Sequence, residues 1–243
     1  MGFQFFRKNG KQSKYEASKK RLFHTLPDIE DKLLAYSKGS ATTGTQWTTL
    51  WFAVDAILKT KPLHILECGT GSSTLVLAEA VRLLQIQDQS YHPLITSMES
   101  VDIWFKTAKS NLPAEYSDIV EILYGPRKKF EWAMYRGYIH DNIPDRPFEF
   151  IFLDGPGYDD EFGTSFCADV LFVANNSKKE RLTGVIDGRT SSAFVLQNIF
   201  GVGASRYFLP NMACKFNLDT VRLKKHHIST DFHSNLFGAL RLK

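Results

Sequence analysis

His64-Ile-Leu-Glu-Cys-Gly-Thr-Gly-Ser-Ser-Thr74 is the stretch that decides the fold. A short apolar run ends in an acid, two glycines alternate with small residues, and a helical pattern begins. That order reads as a strand, a tight turn and a helix N-terminus. Glycine lets a backbone approach a ligand closely, because no Cβ stands in the way. The free N–H groups of the first helical turn add a polar, slightly positive rim. Such a turn is a seat for a cofactor, and the surrounding acids bear on which one.

Outward from the turn, strands and helices alternate. Strands are expected over 63–67, 94–99, 120–124, 148–154 and 183–187. Helices are expected over 73–84, 101–112, 128–139, 160–175 and 191–200. Five strand–helix units imply a mainly parallel sheet with helices on both faces. After Gly203 the helical pattern stops, and stretches over 206–209, 215–224 and 237–242 read as antiparallel strands at one edge. Before the turn, Pro27 opens a helix that Gly39 stops. Trp47, Leu50, Trp51, Val54, Ile57 and Leu58 then form the apolar stripe of another. The fold class is α/β: a Rossmann-like, mainly parallel sheet with an antiparallel C-terminal edge, preceded by N-terminal helices. Residues 1–26 read as a basic arm and 27–243 as one domain, with 27–60 a helical cover and 61–243 the core.

Ligands in open parallel sheets sit outside the strand carboxyl ends, where strand order switches. Glu67, Glu99, Tyr124-Gly125, Asp154 and Asp187 all fall at such ends and face one crevice. The dinucleotide fingerprint needs a third glycine where Thr74 stands, and an acid nearer than Glu99. A nicotinamide-dependent oxidoreductase is therefore the weaker reading. An acid-x-Gly-x-Gly turn, followed by a second strand ending in an acid, resembles the class I S-adenosylmethionine-dependent methyltransferases. That resemblance covers roughly residues 60–243 in layout. It implies that Glu67, Gly69, Thr70, Gly71, Ser72 and Ser73 surround the methionine part of S-adenosylmethionine. It also implies that Glu99, followed by Ser100, reads the ribose hydroxyls. A carboxylate suits a diol because it accepts two hydrogen bonds at once. The family often places an acid after the third strand to read adenine. Here Gly125-Pro126-Arg127 follows, leaving backbone contacts from Gly125 with Phe130 or Trp132 packing.

Phe150-Ile-Phe-Leu-Asp154-Gly-Pro-Gly157 carries an acid out of an apolar strand. By the resemblance Asp154 lies beside the transferring methyl group, as cofactor contact and candidate base. The Asp-Gly-Pro-Gly sequence departs from the motif of nucleobase amine methyltransferases. Small-molecule O-methyltransferases fit best, with an oxygen of a small molecule or glycan as acceptor. Cation-dependent members hold magnesium with an Asp after the fourth strand and an Asp-Asn after the fifth. Asp154 and Asp187 match the acids, but Gly188 stands where Asn belongs, so magnesium is the lesser expectation. Arg189 pairs with Asp187 or binds an acidic substrate. A non-catalytic binding module on the same fold is the alternative function. Thr43, Thr45 and Gln46 are candidate lid residues.

The chain has 243 residues and a net charge of +4, concentrated at the N-terminus. Residues 1–22 hold seven bases and one acid, which leaves the rest slightly negative and unlike a nucleic-acid clamp. The basic arm, with Phe3, Phe5 and Phe6, has the charge to meet an acidic partner. No apolar run is long enough to span a bilayer, and no signal-peptide h-region is visible. Cys68, Cys167 and Cys214 are far apart and form no C-x-x-C pair, so a cytoplasmic, reducing setting is expected. His226, His227 and His233 lack a metal-ligand spacing.

Overall fold

The computed structural model describes residues 15–38, 46–157, 159–160 and 163–225. In chain order come a helix α1 over 15–25, then α2 (Ile29–Ser37), α3 (Trp47–Thr60), β1 (His64–Cys68), α4 (Ser72–Gln87) and β2 (Leu94–Glu99). Next are α5 (Asp102–Asn111), β3 (Val120–Tyr124), β4 (Arg127–Trp132), β5 (Tyr135–His140) and β6 (Phe150–Leu153). Three two-residue strands follow: β7 (Asp159–Asp160), β8 (Gly163–Thr164) and β9 (Phe166–Cys167). The chain continues through α6 (Asp169–Asn176), β10 (Arg181–Ile186), α7 (Thr190–Phe200), β11 (Ser205–Phe208), β12 (Ala213–Asp219) and α8 (Thr220–Lys225).

The main sheet has seven strands in the order β11-β12-β10-β6-β1-β2-β3. β3, β2, β1, β6 and β10 run parallel. β12 runs antiparallel to both β10 and β11. This is the Rossmann-like α/β sheet with an antiparallel edge that the sequence pattern implies. The chain builds β1, β2 and β3 to one side, then returns to place β6 on the other side of β1. The switch in strand order therefore lies between β1 and β6.

β1 is buried on both faces, and its side chains divide by the period of two. Ile65 joins a core beneath α1–α4, with Leu22, Ile29, Val54, Leu75 and Phe150. Leu66 and Cys68 join a second core on the other face, with Met98, Val170, Leu171 and Leu196. Along α3, Leu50, Ala53, Val54 and Ile57 recur at helical spacing and are all buried. That face packs on α4 and β10, and it carries the start of α3 to the edge of the sheet.

Three sequence expectations are corrected. Residues 128–139 are not a helix but the hairpin β4–β5. Phe130 and Trp132 are half-buried with Glu131 exposed between them, a period of two. Met134, four residues after Phe130, stands 85% exposed at the tip instead of on a helix face. The turn carries no Asn-Gly or Asp-Gly signal; Ala133 takes the positive φ. The helix expected over 160–175 begins only at Asp169, because β9 first pairs with β5. Gly137 makes that pairing possible: a Cβ there would come 2.5 Å from the Phe166 carbonyl oxygen. The strand expected over 215–224 ends at Asp219 and gives way to α8. Four of the five expected strand–helix units thus stand, while β3 leads into a hairpin. The stretch 237–242 and the three C-terminal histidines lie outside the described residues, as do Thr43 and Thr45.

The centre of the sheet tolerates no side chain at Gly184. A Cβ there would lie 2.1 Å from the Ile151 carbonyl oxygen and 2.4 Å from the Phe216 ring. Gly184→Ala is expected to cost about 3 kcal/mol through this overpacking. A thermal midpoint equal to that of the parent chain would contradict the packing.

Candidate active site

The site assembles where β1 and β6 end. Gly69 takes φ +97°, and a Cβ on it would come 3.0 Å from the Asp154 carbonyl. In return, a Cβ on Gly155 would come 3.0 Å from Gly69 N and Cα. The two loops therefore touch backbone to backbone. Asp154 N–H donates to Cys68 O at 2.8 Å, and Gly69 N–H donates to Met98 O at 2.8 Å. Gly71 also has positive φ, but a Cβ there would meet nothing within 4 Å. One glycine serves close packing and the other borders open space.

Glu67 lies beneath this turn with no exposed surface. Its Oε2 accepts from Thr74 Oγ1 at 2.6 Å and from Ser97 Oγ at 2.5 Å. Thr74 Oγ1 in turn accepts the Gly71 N–H at 3.1 Å. Thr74, at the place of the third dinucleotide glycine, thus ties the turn to its acid. Glu67 Oε1 is buried and has no partner. Burial holds the carboxyl up at about 7, while the Ser73, Ser97 and Thr74 hydroxyls pull it down and Asp154 adds to the rise.

Glu99 ends β2 and is 4% exposed. Its Oε2 accepts from Thr70 Oγ1 at 2.9 Å and Thr70 N–H at 3.3 Å. Its Oε1 accepts the Val101 N–H at 2.9 Å. Three of roughly four acceptor positions of this carboxylate are in use. Ser100 is half-buried in the bend that follows. Gly125 N–H donates to Glu99 O at 2.9 Å. A Cβ on Gly125 would lie 2.4 Å from Asp141 O, so this residue is packed on its Cβ side. Phe130 and Trp132 pack against the second core and not beside this strand end; Phe130 meets Phe172 edge to face.

Ser72 and Ser73 open α4 and line a small cavity with Gln46, Thr49, Leu50, Phe152, Asp154 and Asp187. The cavity joins the glycine turn, the ends of β6 and β10, and the start of α3. Thr49 is 1% exposed, and its Oγ1 has no partner. Arg189 binds both acids: its Nη1 donates to Asp154 Oδ1 at 2.7 Å and also to Asp187 Oδ2. Burial, then Asp154, raises the Asp187 carboxyl well above its ordinary range, with Arg189 opposing. The sequence left Arg189 open between pairing and binding an acidic substrate; here it is paired.

On the opposite face of β1, Asp169 accepts the His140 backbone N–H at 2.8 Å and its ring Nδ1–H at 2.7 Å. The Cys68 thiol adds a third hydrogen bond to the same carboxylate. All three residues are buried. Their ligand atoms lie within 4.8 Å of one another, yet the carboxylate already serves three donors. Sequence reasoning missed this cluster, because His140 followed one expected helix and Asp169 lay within another.

No protein-family model matches the chain, and no curated protein matches it. Among the solved structures that resemble it distantly are two methyltransferases. One is the SAH-bound methyltransferase PaMTH1 of Podospora anserina, with a TM-score of 0.41 and 18% identity. That match covers 65% of this chain and 62% of PaMTH1, less than two thirds of its length. The other is a SAM-dependent methyltransferase from Aquifex aeolicus, with a TM-score of 0.41 and 14% identity. It covers 68% of this chain and 87% of that one.

Glu67 sets a pH dependence whose sign follows from its raised carboxyl. Its folded value of about 7 lies above the ordinary 4.5. Its protonated form stabilises the fold fully below about 4.5, and that contribution is lost as pH rises through about 7. Relative to the parent chain, Glu67→Gln should gain stability on the order of 3 kcal/mol between pH 5 and pH 8. Melting curves of both proteins across that range check this; a constant difference in midpoint contradicts it.

Proposed function

We propose that this chain is an S-adenosylmethionine-dependent methyltransferase that acts on a neutral hydroxyl of a small molecule or glycan. The observation that carries the reading is the convergence at the β1/β6 switch. The glycine turn with its open side at Gly71, the buried acid Glu67, the strand-end acid Glu99 and the exposed acid Asp154 share one sheet edge. These residues fit the group. Gly71 leaves room where a Cβ would stand, and Glu67 Oε1 is a buried acceptor without a donor. Thr74 in place of a third glycine, tied to Glu67, weighs against a dinucleotide.

In this reading Glu67 and the segment Gly69–Ser73 hold the amino-acid end of the cofactor. Glu99 holds the ribose, with Thr70 sharing or yielding Oε2. Ser100 and Gly125 border the nucleoside. When bound, the cofactor supplies a methyl group on a positively charged sulfur. Methyl transfer then needs an acceptor oxygen held in line and relieved of its proton. Asp154 is the candidate base. Its side chain is 48% exposed at the cavity mouth, and Arg189 fixes its orientation. With the methyl group passing to the acceptor oxygen, Asp154 would take the proton that this oxygen loses. The start of α3, through Gln46 and Thr49, covers the cavity and shapes the acceptor side.

Glu99→Ala should weaken cofactor binding by about 1–3 kcal/mol, read by calorimetry. Asp154→Asn should lower turnover by roughly 10²-fold or more with little change in cofactor affinity. Unchanged affinity in the first variant removes Glu99 from the ribose site. Unchanged turnover in the second removes Asp154 from the chemistry.

A further inference from the structure

Asp154 and Asp187 end neighbouring parallel strands and project into one cavity. Two carboxylates held this close repel each other, and either a proton on one of them or a cation between them relieves that repulsion. Arg189 is that cation. It lies two residues beyond Asp187, at the N-cap of α7, where its backbone is not yet helical. From there the side chain folds back toward β6.

Each edge of the guanidinium has a partner. Nη1 donates to Asp154 Oδ1 at 2.7 Å and to Asp187 Oδ2. Nη2 donates to the Asp154 carbonyl oxygen at 2.5 Å, and Nε donates to Cys167 Sγ at 3.1 Å. The Cys167 thiol donates onward to Pro156 O at 3.0 Å, which leaves a sulfur lone pair for Arg189. Cys167 N–H is itself held by Ser192 Oγ at 3.0 Å. The arginine side chain is only 12% exposed. A planar donor fork locked on several sides is a built part of the site and not a stray surface charge.

A divalent cation between these acids would compete with Arg189 for the carboxylate oxygens that the guanidinium now holds. With Nη1 on both, the residues present do not fit a metal unless Arg189 leaves. Gly188, between Asp187 and Arg189, offers no side-chain ligand. We propose that Arg189 is the resident cation of the acceptor cavity, taking the place of a divalent metal ion between Asp154 and Asp187. The positive charge is spent on these two acids, and among the described residues that line the cavity none is a lysine or arginine that an anionic acceptor would meet. The remaining wall combines the apolar Leu50 and Phe152 with hydroxyls and an amide from Ser72, Ser73, Gln46 and the unpartnered, buried Thr49 Oγ1. A neutral, hydroxyl-bearing acceptor suits that wall. This acceptor class rests on the methyltransferase reading; the assignment of the cation does not.

The test is magnesium titration of the full-length chain, followed by calorimetry and by thermal melting with and without EDTA. The parent chain should bind no magnesium in the millimolar range, and its midpoint should ignore EDTA. Arg189→Ala bares the two carboxylates. It should bind magnesium at least about tenfold more tightly than the parent chain. Its midpoint should rise by several degrees in magnesium and lose that rise in EDTA. Arg189→Met, which keeps the aliphatic stem, replaces the Ala variant if the latter fails to fold. Three outcomes overturn the proposal: magnesium binding by the parent chain that Asp187→Asn abolishes, folded Arg189 variants that gain no magnesium response, or variants that magnesium cannot help to fold. None of these readouts needs an acceptor or turnover, so a failure here is separable from failure of the methyltransferase reading.

Discussion

The contact on which the site depends is the backbone approach of Gly69 to Asp154-Gly155. β1 and β6 are sheet neighbours far apart in sequence, and the loops that leave them meet without side chains between them. A Cβ at either glycine would force the loops apart. Because they touch, Asp154 is delivered beside the glycine turn, and Gly71 turns its open side outward. The switch in strand order makes a crevice, and these two glycines set how narrow it is.

Two buried polar clusters brace the same strand from opposite faces. Glu67 is held by Thr74 and Ser97 on one side of β1. Cys68 is tied to Asp169, and Asp169 to His140, on the other. Consecutive residues point to opposite faces of a strand, so a single dipeptide anchors both clusters. Fully bonded buried groups stiffen their surroundings, and a missing partner costs most where water cannot enter. Asp169 is satisfied by three donors. Glu67 keeps one buried oxygen without a partner beneath the turn.

Much of this was legible in the sequence, because the signals were local. The acid-x-Gly-x-Gly turn, the apolar run 94–99 and the run 120–124 mark strands at or within one residue of their observed bounds. The antiparallel edge after Gly203 was readable from the alternation over 206–209 and 215–219, although the short α8 that ends it was read as strand. The hairpin over Arg127–His140 was not readable. Phe130, Met134 and Tyr138 happen to fall four apart, while the true period of two shows in three residues only, and Ala133 makes the turn without a glycine. The candidate site was legible as a set of strand ends. Its internal bonding was not, since the Arg189 side chain reaches Asp154 and Cys167 only through folding. Sequence order places an arginine in the loop but does not say which acid it faces. The same holds for Asp169, whose partners come from β1 and β5.

The central claim is that this sheet edge seats S-adenosylmethionine, and the most direct measurement is calorimetric titration of the purified full-length chain. S-adenosylmethionine, S-adenosylhomocysteine and NAD are each titrated. Micromolar, one-to-one binding of both sulfur nucleosides with no binding of NAD is the predicted result. Binding of NAD alone, or of none of the three, would contradict the claim.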